Sequence, residues 1–408
     1  MSNHLCIEEL TTEESRMYRS LARQFTEGLI FPVRQQIDDD KDHTKIVDPI
    51  MKQILRDFGL VNIMLDEESP IRSMINACAM LEEMARGDSG IAVALGCAGW
   101  CLVPIWYDPY KRPDLLKEFT TIYREADMPL GCFAMTEPEG GCDIENPKME
   151  GRKIRTRVRL DGDEWVIDGV KQWPTNSGVS CLYCTVCTTD PQLGDEGIAL
   201  IYVPYPIDGL SFSGWENKVG MTADTNCTIY YDDVRVPKRY RAAGPGDDAN
   251  LLHQTVVVGS IGSAIMSVGT AQNIFEIVTD YATKRVVAGK AIKEHSVNAC
   301  ALADMAIGIE TARSYILNVA YMFDRPETYG ARWSEEMLAK ARIAKVYAAD
   351  VSIMVANKAM EMMGSYGYTR DADVEKHWRD NKMMQQWLGG SQVGRLDIAR
   401  YFCSLETL

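Results

Sequence analysis

The period of the hydrophobic pattern changes twice along this chain, and the changes divide it into three blocks that cannot share one kind of secondary structure. From residue 11 to about 127, apolar residues recur three or four apart, as in IMKQILRDFGLVNIML and INACAMLEEMARG. That spacing places them on one face of a helix. From residue 128 to about 240 the pattern turns to alternation broken by turn residues. GRKIRTRVRLDGDEWVIDGV reads as a hairpin at Asp161-Gly162-Asp163, followed by GIALIYVPY and CTIYYDDVRVP. Long helical patterns return from about residue 250, in SAIMSVGTAQNIFEIVTDYATKR, VNACALADMAIGIETARSYILNVAYMF and EEMLAKARIAKVYAADVSIMVANKAMEMMG. The expected fold is α+β: an N-terminal helical domain over 1–127, a middle antiparallel β domain over 128–240 and a C-terminal helix bundle over 241–408. Gly244-Pro245-Gly246-Asp247-Asp248 reads as the linker into the bundle. The acidic run Asp38-Asp39-Asp40-Lys41-Asp42 reads as a solvated loop.

Composition narrows the partners. At 408 residues and 46% hydrophobic content, the chain can bury a sizeable core. A net charge of −15 opposes nucleic acid and anionic membrane surfaces, so any anionic ligand has to be met locally by backbone N–H groups, helix N-termini and a few basic side chains. The start, MSNHLCIEELTTEESRMY, has neither the basic opening nor the apolar run of a signal peptide, and a cytoplasmic protein is expected. The apolar stretch 256–278 is interrupted by Gly, Ser, Gln, Asn and Glu, which suits a buried helix better than a membrane span.

Cys181, Cys184 and Cys187 have the C-x-x-C-x-x-C spacing that can open an iron–sulfur site. The surrounding run alternates β-favouring residues, however, so Cys181 and Cys184 would face opposite sides of a strand, and no fourth cysteine follows at short spacing. No metal is expected, and most of the 12 cysteines read as reduced core residues. His4, His43, His253, His295 and His377 are far apart and form no metal-ligand pair. The 21 methionines read as adaptable core packing.

Four segments carry chemistry. In FAMTEPEGGCD, Phe133 to Asp143, Gly140 and Gly141 let backbone approach a planar or anionic ligand, and Thr136 offers a hydroxyl. Alone, a Gly-Gly pair beside Pro138 is as readily a turn. Further on come Trp173-Pro174-Thr175-Asn176 after the strand-like WVIDGVKQW, then EMMGSYGYTRDADVEKHWRD from Glu361 to Asp380, then Gly389-Gly390-Ser391-Gln392, with Arg285 and Gly289-Lys290 upstream of the last two. In kind, order and spacing these segments resemble the signatures of the acyl-CoA dehydrogenase family of flavoenzymes. The resemblance implies FAD as cofactor. Phe133, Met135, Thr136, Gly141 and Cys142 then belong to the flavin-contacting signature, Trp173 packs on the isoalloxazine and the Thr175 hydroxyl bonds to it. Glu361 and Gly364 lie where backbone approaches the ADP half, Gly390 and Gln392 belong to the final signature, and Arg285 reaches a neighbouring subunit's FAD. A homodimer or homotetramer is implied. On the substrate side, the resemblance points to Cys142, Gly96, Ser260, Leu388 and Gly389 around an acyl-CoA or a carrier-bound acyl thioester.

The departures from the family pattern bear on the reaction. Most members carry the catalytic Glu immediately before the Gly-x-Ser-Gln run, and here that residue is Leu388. A minority supply it from a helix position that falls near Gly259, and no Asp or Glu occurs from Leu251 to Phe275. α,β-Dehydrogenation needs a base for the Cα proton, worth typically about 10²–10⁴-fold. Asp88, Cys97 and His253 are the replacements that could border the acyl pocket. Electrons would then pass to an electron-transferring flavoprotein. Alternatives are a flavin-dependent hydroxylase, which needs a flavin reductase and oxygen, a thioester-eliminating enzyme of similar fold, or a flavin-binding scaffold without catalysis. Cys142 stands where the family has a small hydroxyl residue, and Ser260 near its substrate-binding Arg, so an unusual acyl group or a carrier-bound one is expected.

Overall fold

The computed structural model describes residues 12–145 and 154–405; His4 and the first residues of the 151–170 strand segment lie outside them. Helix α1, Glu13–Phe25, starts at Thr12, whose hydroxyl accepts from Ser15 N at 3.0 Å, and buries Tyr18, Ala22 and Phe25 along one stripe. The short α2, Leu60–Leu65, leads to α3, Met74–Gly87, and α4, Ser89–Trp100. Asp88 separates these two helices, and its carboxylate caps α4 by accepting from Ile91 N at 2.9 Å. Helix α5, Pro113–Glu125, closes the N-terminal part.

A seven-stranded sheet follows, with β1 (Gly131–Ala134), β2 (Arg157–Asp161), β3 (Glu164–Gln172), β4 (Leu182–Thr188), β5 (Ile198–Pro204), β6 (Leu210–Phe212) and β7 (Thr228–Pro237). The short helix α6, Cys142–Glu145, sits between β1 and β2. The order is β1-β4-β2-β3-β7-β6, with β5 paired to β4. The β2–β3 hairpin turns where the sequence places it, with Gly162 at φ 62°. The sheet is antiparallel except that β1 runs parallel to β4 along four residues and β2 touches β4 in parallel at Arg157. All of β4 is buried, and burial pushes the Cys181 and Cys187 thiols up to about 12.

The C-terminal part is built on α7, Asp247–Lys284, which packs against α3, α4, α8 (Ser296–Phe323) and α9 (Glu335–Met363). It is long and apolar enough to cross a membrane, but 89% of its apolar window is buried inside the protein, so it is the core helix. Its crossing with α3 is close: a Cβ on Gly269 would fall 2.2 Å from the Glu82 carbonyl oxygen. Helices α10, Val374–Gln386, and α11, Gly390–Cys403, complete the bundle, and the hairpin β8–β9 (Val286–Val287, Lys290–Ala291) projects from the end of α7.

Two expectations change. Asp38 and Asp40 of the acidic run are buried, not solvated. Asp40 accepts from Ile46 N at 2.8 Å and Val47 N at 3.0 Å, while Asp38 meets Arg379 at 2.7 Å and Lys376 at 3.3 Å. Asp247 and Asp248 form the first turn of α7, where the helix N-terminus favours negative charge, and do not belong to a linker. Asp248 is enclosed, 2.6 Å from Arg241, and burial outweighs that partner to lift its carboxyl to about 6.

Buried charge fastens the three parts. Glu82 on α3 takes Arg313 of α8 at 2.8 Å and Arg19 of α1 at 2.9 Å. Lys376 on α10 takes Asp88 at 2.8 Å and Asp380 at 3.1 Å, and Asp380 accepts from Met221 N of the β part at 2.6 Å.

Candidate active site

A cavity of about 1070 Å³ opens where the three parts meet. One end is an apolar arm between α2, α3 and α4, walled by Met64, Met74, Met80, Met84 and Trp106, with Gly96 and Gly99 along α4. Gly99 is required by closeness, because a Cβ there would meet the Trp106 ring at 2.9 Å. The other end is a polar mouth with Thr136, Gln172, Trp173, Thr175, Glu216 and Asp224.

The mouth is shaped by the backbone just after β3. Trp173 takes a left-handed φ of 62°, a conformation that costs a non-glycine residue about 1–2 kcal/mol. Surrounding bonds hold it there: its N–H donates to Cys227 O at 2.9 Å, Asn226 Nδ2 donates to its carbonyl at 2.9 Å, and its indole Nε1 donates to Glu216 Oε1 at 3.0 Å. The ring stands in the mouth, 53% exposed. Thr175 Oγ1 donates to Asp224 Oδ2 at 3.2 Å, and Asn176 anchors the turn by donating to Ala94 O and Gly131 O at 2.8 and 3.0 Å. Burial raises the Asp224 carboxyl even with Lys218 3.5 Å away. In the signature loop, Gly141 N donates to Asp143 Oδ1 at 2.8 Å, and Glu137 is buried against Lys171 at 2.7 Å. The loop's backbone course therefore rests on its own carboxylates.

On the opposite wall lies Leu388, also left-handed at φ 49°, followed by Gly389. Its carbonyl accepts from Arg342 Nη1 of α9 at 2.7 Å. The same guanidinium, fully buried, meets Asp397 at 2.9 Å, Glu145 at 3.0 Å and Ser260 Oγ at 3.3 Å. Burial pushes the Glu145 carboxyl above its ordinary range, with Arg342 opposing. Lys345, one turn further along α9, donates to Trp387 O at 2.8 Å, and burial lowers its ammonium to about 8. Gly259 faces the same region with no space for a side chain: its Cβ would fall 2.8 Å from Trp100 and 3.2 Å from Leu388.

Phe133, Met135, Thr136, Gly141, Cys142, Trp173 and Thr175 all line this one cavity, as do Gly96, Leu388 and Gly389. Other candidates lie elsewhere. Ser260 is buried in α7 beside Arg342 and does not reach the space, because its hydroxyl donates back to Val256 O at 2.8 Å. Glu361, Gly364, Gly390 and Gln392 are not among the lining residues; Glu361 and Gly364 sit at the exposed end of α9, and Gln392 is exposed on α11. Arg285 is exposed at the far end of α7, beside the projecting hairpin.

Of the replacement bases, Asp88 is a helix cap paired with Lys376 and does not line the cavity. His253 lines a separate pocket of about 260 Å³ with Asp195, Trp333 and Arg400. Only Cys97 reaches the cavity, and burial drives its thiol far above its ordinary value, so it stays protonated. The sequence reading missed Glu145 and Arg342. Glu145 lies two residues past the first signature, a place that could have been flagged by its acid; nothing in the helical pattern around Arg342 sets it apart from a surface residue.

The family models for the acyl-CoA dehydrogenase N-terminal, middle and C-terminal domains match residues 12–108, 132–234 and 250–402. The mitochondrial short-chain specific acyl-CoA dehydrogenase of Bos taurus is 28% identical over 392 residues, covering 95% of this chain and 89% of the bovine protein. Among solved structures, butyryl-CoA dehydrogenase from Megasphaera elsdenii superposes with a TM-score of 0.84 at 23% identity, covering 98% of this chain and all of that one. A nitroalkane oxidase crystallised with 1-nitrohexane superposes at 0.87 and 22% identity, covering 98% and 97%. These two structures establish the shared fold.

Proposed function

Since this chain belongs to the acyl-CoA dehydrogenase family of FAD-dependent oxidoreductases, we propose that it binds FAD in the polar mouth and oxidises, or forms by the reverse reaction, an acyl thioester whose acyl group occupies the apolar arm. The observation that carries this reading is the convergence of the Trp173 ring, the Thr136 and Thr175 hydroxyls and Cys142 on the open end of one apolar cavity.

The residues fit a flavin. An aromatic face held out by a strained backbone suits a planar ring, and the cavity, at about 1070 Å³, stands at the upper end of the roughly 300–1,000 Å³ of small-molecule sites. When bound, FAD supplies the hydride acceptor that no side chain can provide. The rest falls to the chain itself. Thr136 and Thr175 would hold the ring by hydrogen bonds, Trp173 would flank it, and Asp224 would keep the Thr175 hydroxyl turned toward the mouth. The arm between α3 and α4 would orient the acyl chain and exclude water from the reacting carbons. Arg285 would serve the cofactor of an adjoining subunit in a homodimer or homotetramer, which its position away from this chain's own cavity supports. The electron partner would be an electron-transferring flavoprotein. Because Cys142 replaces a hydroxyl and Ser260 is turned away from the cavity, the acyl group would be unusual or carrier-bound; micromolar affinity for butyryl- or octanoyl-CoA by calorimetry would count against that.

Leucine at 388 and the absence of room at Gly259 favour one competing reading, a same-fold enzyme that needs no carboxylate there: a hydroxylase or a thioester-eliminating enzyme. An anaerobic absorbance titration of the purified protein with saturated and unsaturated acyl-CoAs separates the cases. Bleaching of bound flavin by a saturated thioester is the expected result. Flavin that stays oxidised throughout would favour the competing reading, and protein purified without flavin would end the cofactor assignment.

A further inference from the structure

We propose that Glu145 is the acid/base group of this site, removing the proton from the substrate carbon next to the thioester carbonyl. The inference rests on the acyl-thioester reading above and deepens it. Three carboxylates line the cavity among the described residues. Glu216 is exposed and accepts from the Trp173 indole. Asp224 is committed to Thr175, Asn176 N and Lys218. Glu145 is left: its side chain is 5% exposed, pairs with Arg342 and borders the cavity beside the Leu388–Gly389 segment.

Its placement relative to that segment is fixed. A Cβ on Gly389 would lie 3.2 Å from Glu145 Oε2, so the carboxylate touches the segment that carries Leu388. Arg342 donates to Glu145 at 3.0 Å and to the Leu388 carbonyl at 2.7 Å, and one rigid guanidinium therefore sets the distance between the two. The charged groups around it are Arg342, Lys345, Asp397 and, beyond Asp397, Arg400 at 3.3 Å from that acid. Desolvation raises the carboxyl against the pull of Arg342, which brings it nearer the operating pH, as general base catalysis requires.

The step balances without an oxidant. The α C–H bond breaks, an O–H bond forms on Glu145, and the electron pair is held as the enolate of the thioester carbonyl; reversal returns a solvent-derived proton to carbon. It can be read with 3-thiabutyryl-CoA and 3-thiaoctanoyl-CoA, whose α-protons are acidified by sulfur and which lack the β C–H bond needed for dehydrogenation. The holoenzyme is incubated with each in D2O and deuterium gain is followed by mass spectrometry.

Wild-type protein is expected to exchange the α-protons. Glu145→Gln should be slower by about 10²-fold or more, with flavin content, thioester affinity and a cooperative melting transition retained. Glu145→Asp should retain part of the rate, and Leu388→Glu added to Glu145→Gln should restore exchange from the adjacent segment. Exchange by Glu145→Gln at the wild-type rate overturns the assignment. So does loss of exchange together with flavin or with the cooperative melting transition, which makes Glu145 a structural partner of Arg342. A wild-type holoenzyme that is saturated with these probes and exchanges neither overturns this inference and leaves the flavin assignment intact; one that binds neither at any concentration overturns the acyl-thioester reading, and this inference with it.

Discussion

The buried charge around Lys376 and that around Arg342 use the same materials and differ in what lies on the remaining side. Lys376 is enclosed by Asp88, Asp380 and Asp38 within 3.3 Å, and those acids have second tasks: Asp88 caps α4, and Asp380 holds Met221 N. Arg342 is equally buried and has two carboxylates, but one of them, Glu145, borders the open cavity. A charge whose neighbours are all occupied can only hold elements together. A charge with empty space beside it can act on whatever enters.

The sharpest way to break this contrast is Lys376→Met. It leaves Asp88 and Asp380 buried without their cation, and a loss of roughly 3–5 kcal/mol is expected, read by urea denaturation of the holoenzyme. An unchanged midpoint would mean that the enclosed cluster is not structural. Next in size is the acid response of Glu82, a second enclosed group. Burial alone would raise its carboxyl, but Arg313 and Arg19 hold it down at about 2. Its folded value lies below its ordinary one near 4.5, so its contribution is full above that pH and is lost as pH falls toward 2. The amount is of order 3 kcal/mol. Denaturation midpoints at pH 5 and pH 3 should differ less for Glu82→Gln than for the parent; equal differences would remove Glu82 from the enclosed class. The smallest effect belongs to the open side. Trp173→Ala should hardly alter the melting temperature of the flavin-free protein but should weaken flavin retention on dialysis by roughly 0.5–1.5 kcal/mol, the worth of an aromatic contact. The reverse pattern would make the indole a packing residue.

Much of this molecule is legible in its sequence where the information is local. Periodicity locates the helices and the β2–β3 hairpin, and the segments around Thr136, Trp173 and Leu388 each bring their own turn geometry, so they meet at one cavity. Where partners lie far along the chain, the reading fails. Asp38 and Asp40 look solvated until Arg379, Lys376 and the 46–47 backbone close over them. Arg342 sits in an ordinary amphipathic pattern and is buried only because Asp397 and Glu145 arrive from two other elements. The parallel β1–β4 pairing carries no signal of its own, since side-chain alternation is the same in either direction. Glu361, Gly364, Gly390 and Gln392, which the motifs assign to the cofactor, lie outside the cavity that Trp173 and Thr175 line.

Four methionines, Met64, Met74, Met80 and Met84, stand in the wall of the apolar arm. An unbranched thioether with three rotatable bonds has many low-energy shapes, and four of them together form a surface with no single mould. Such a wall ranks its guests along a slope, with no sharp cutoff at one chain length. Branched, cyclic and straight acyl groups would differ in rate by modest factors, and the strict demands of the site would fall on the few atoms next to the thioester.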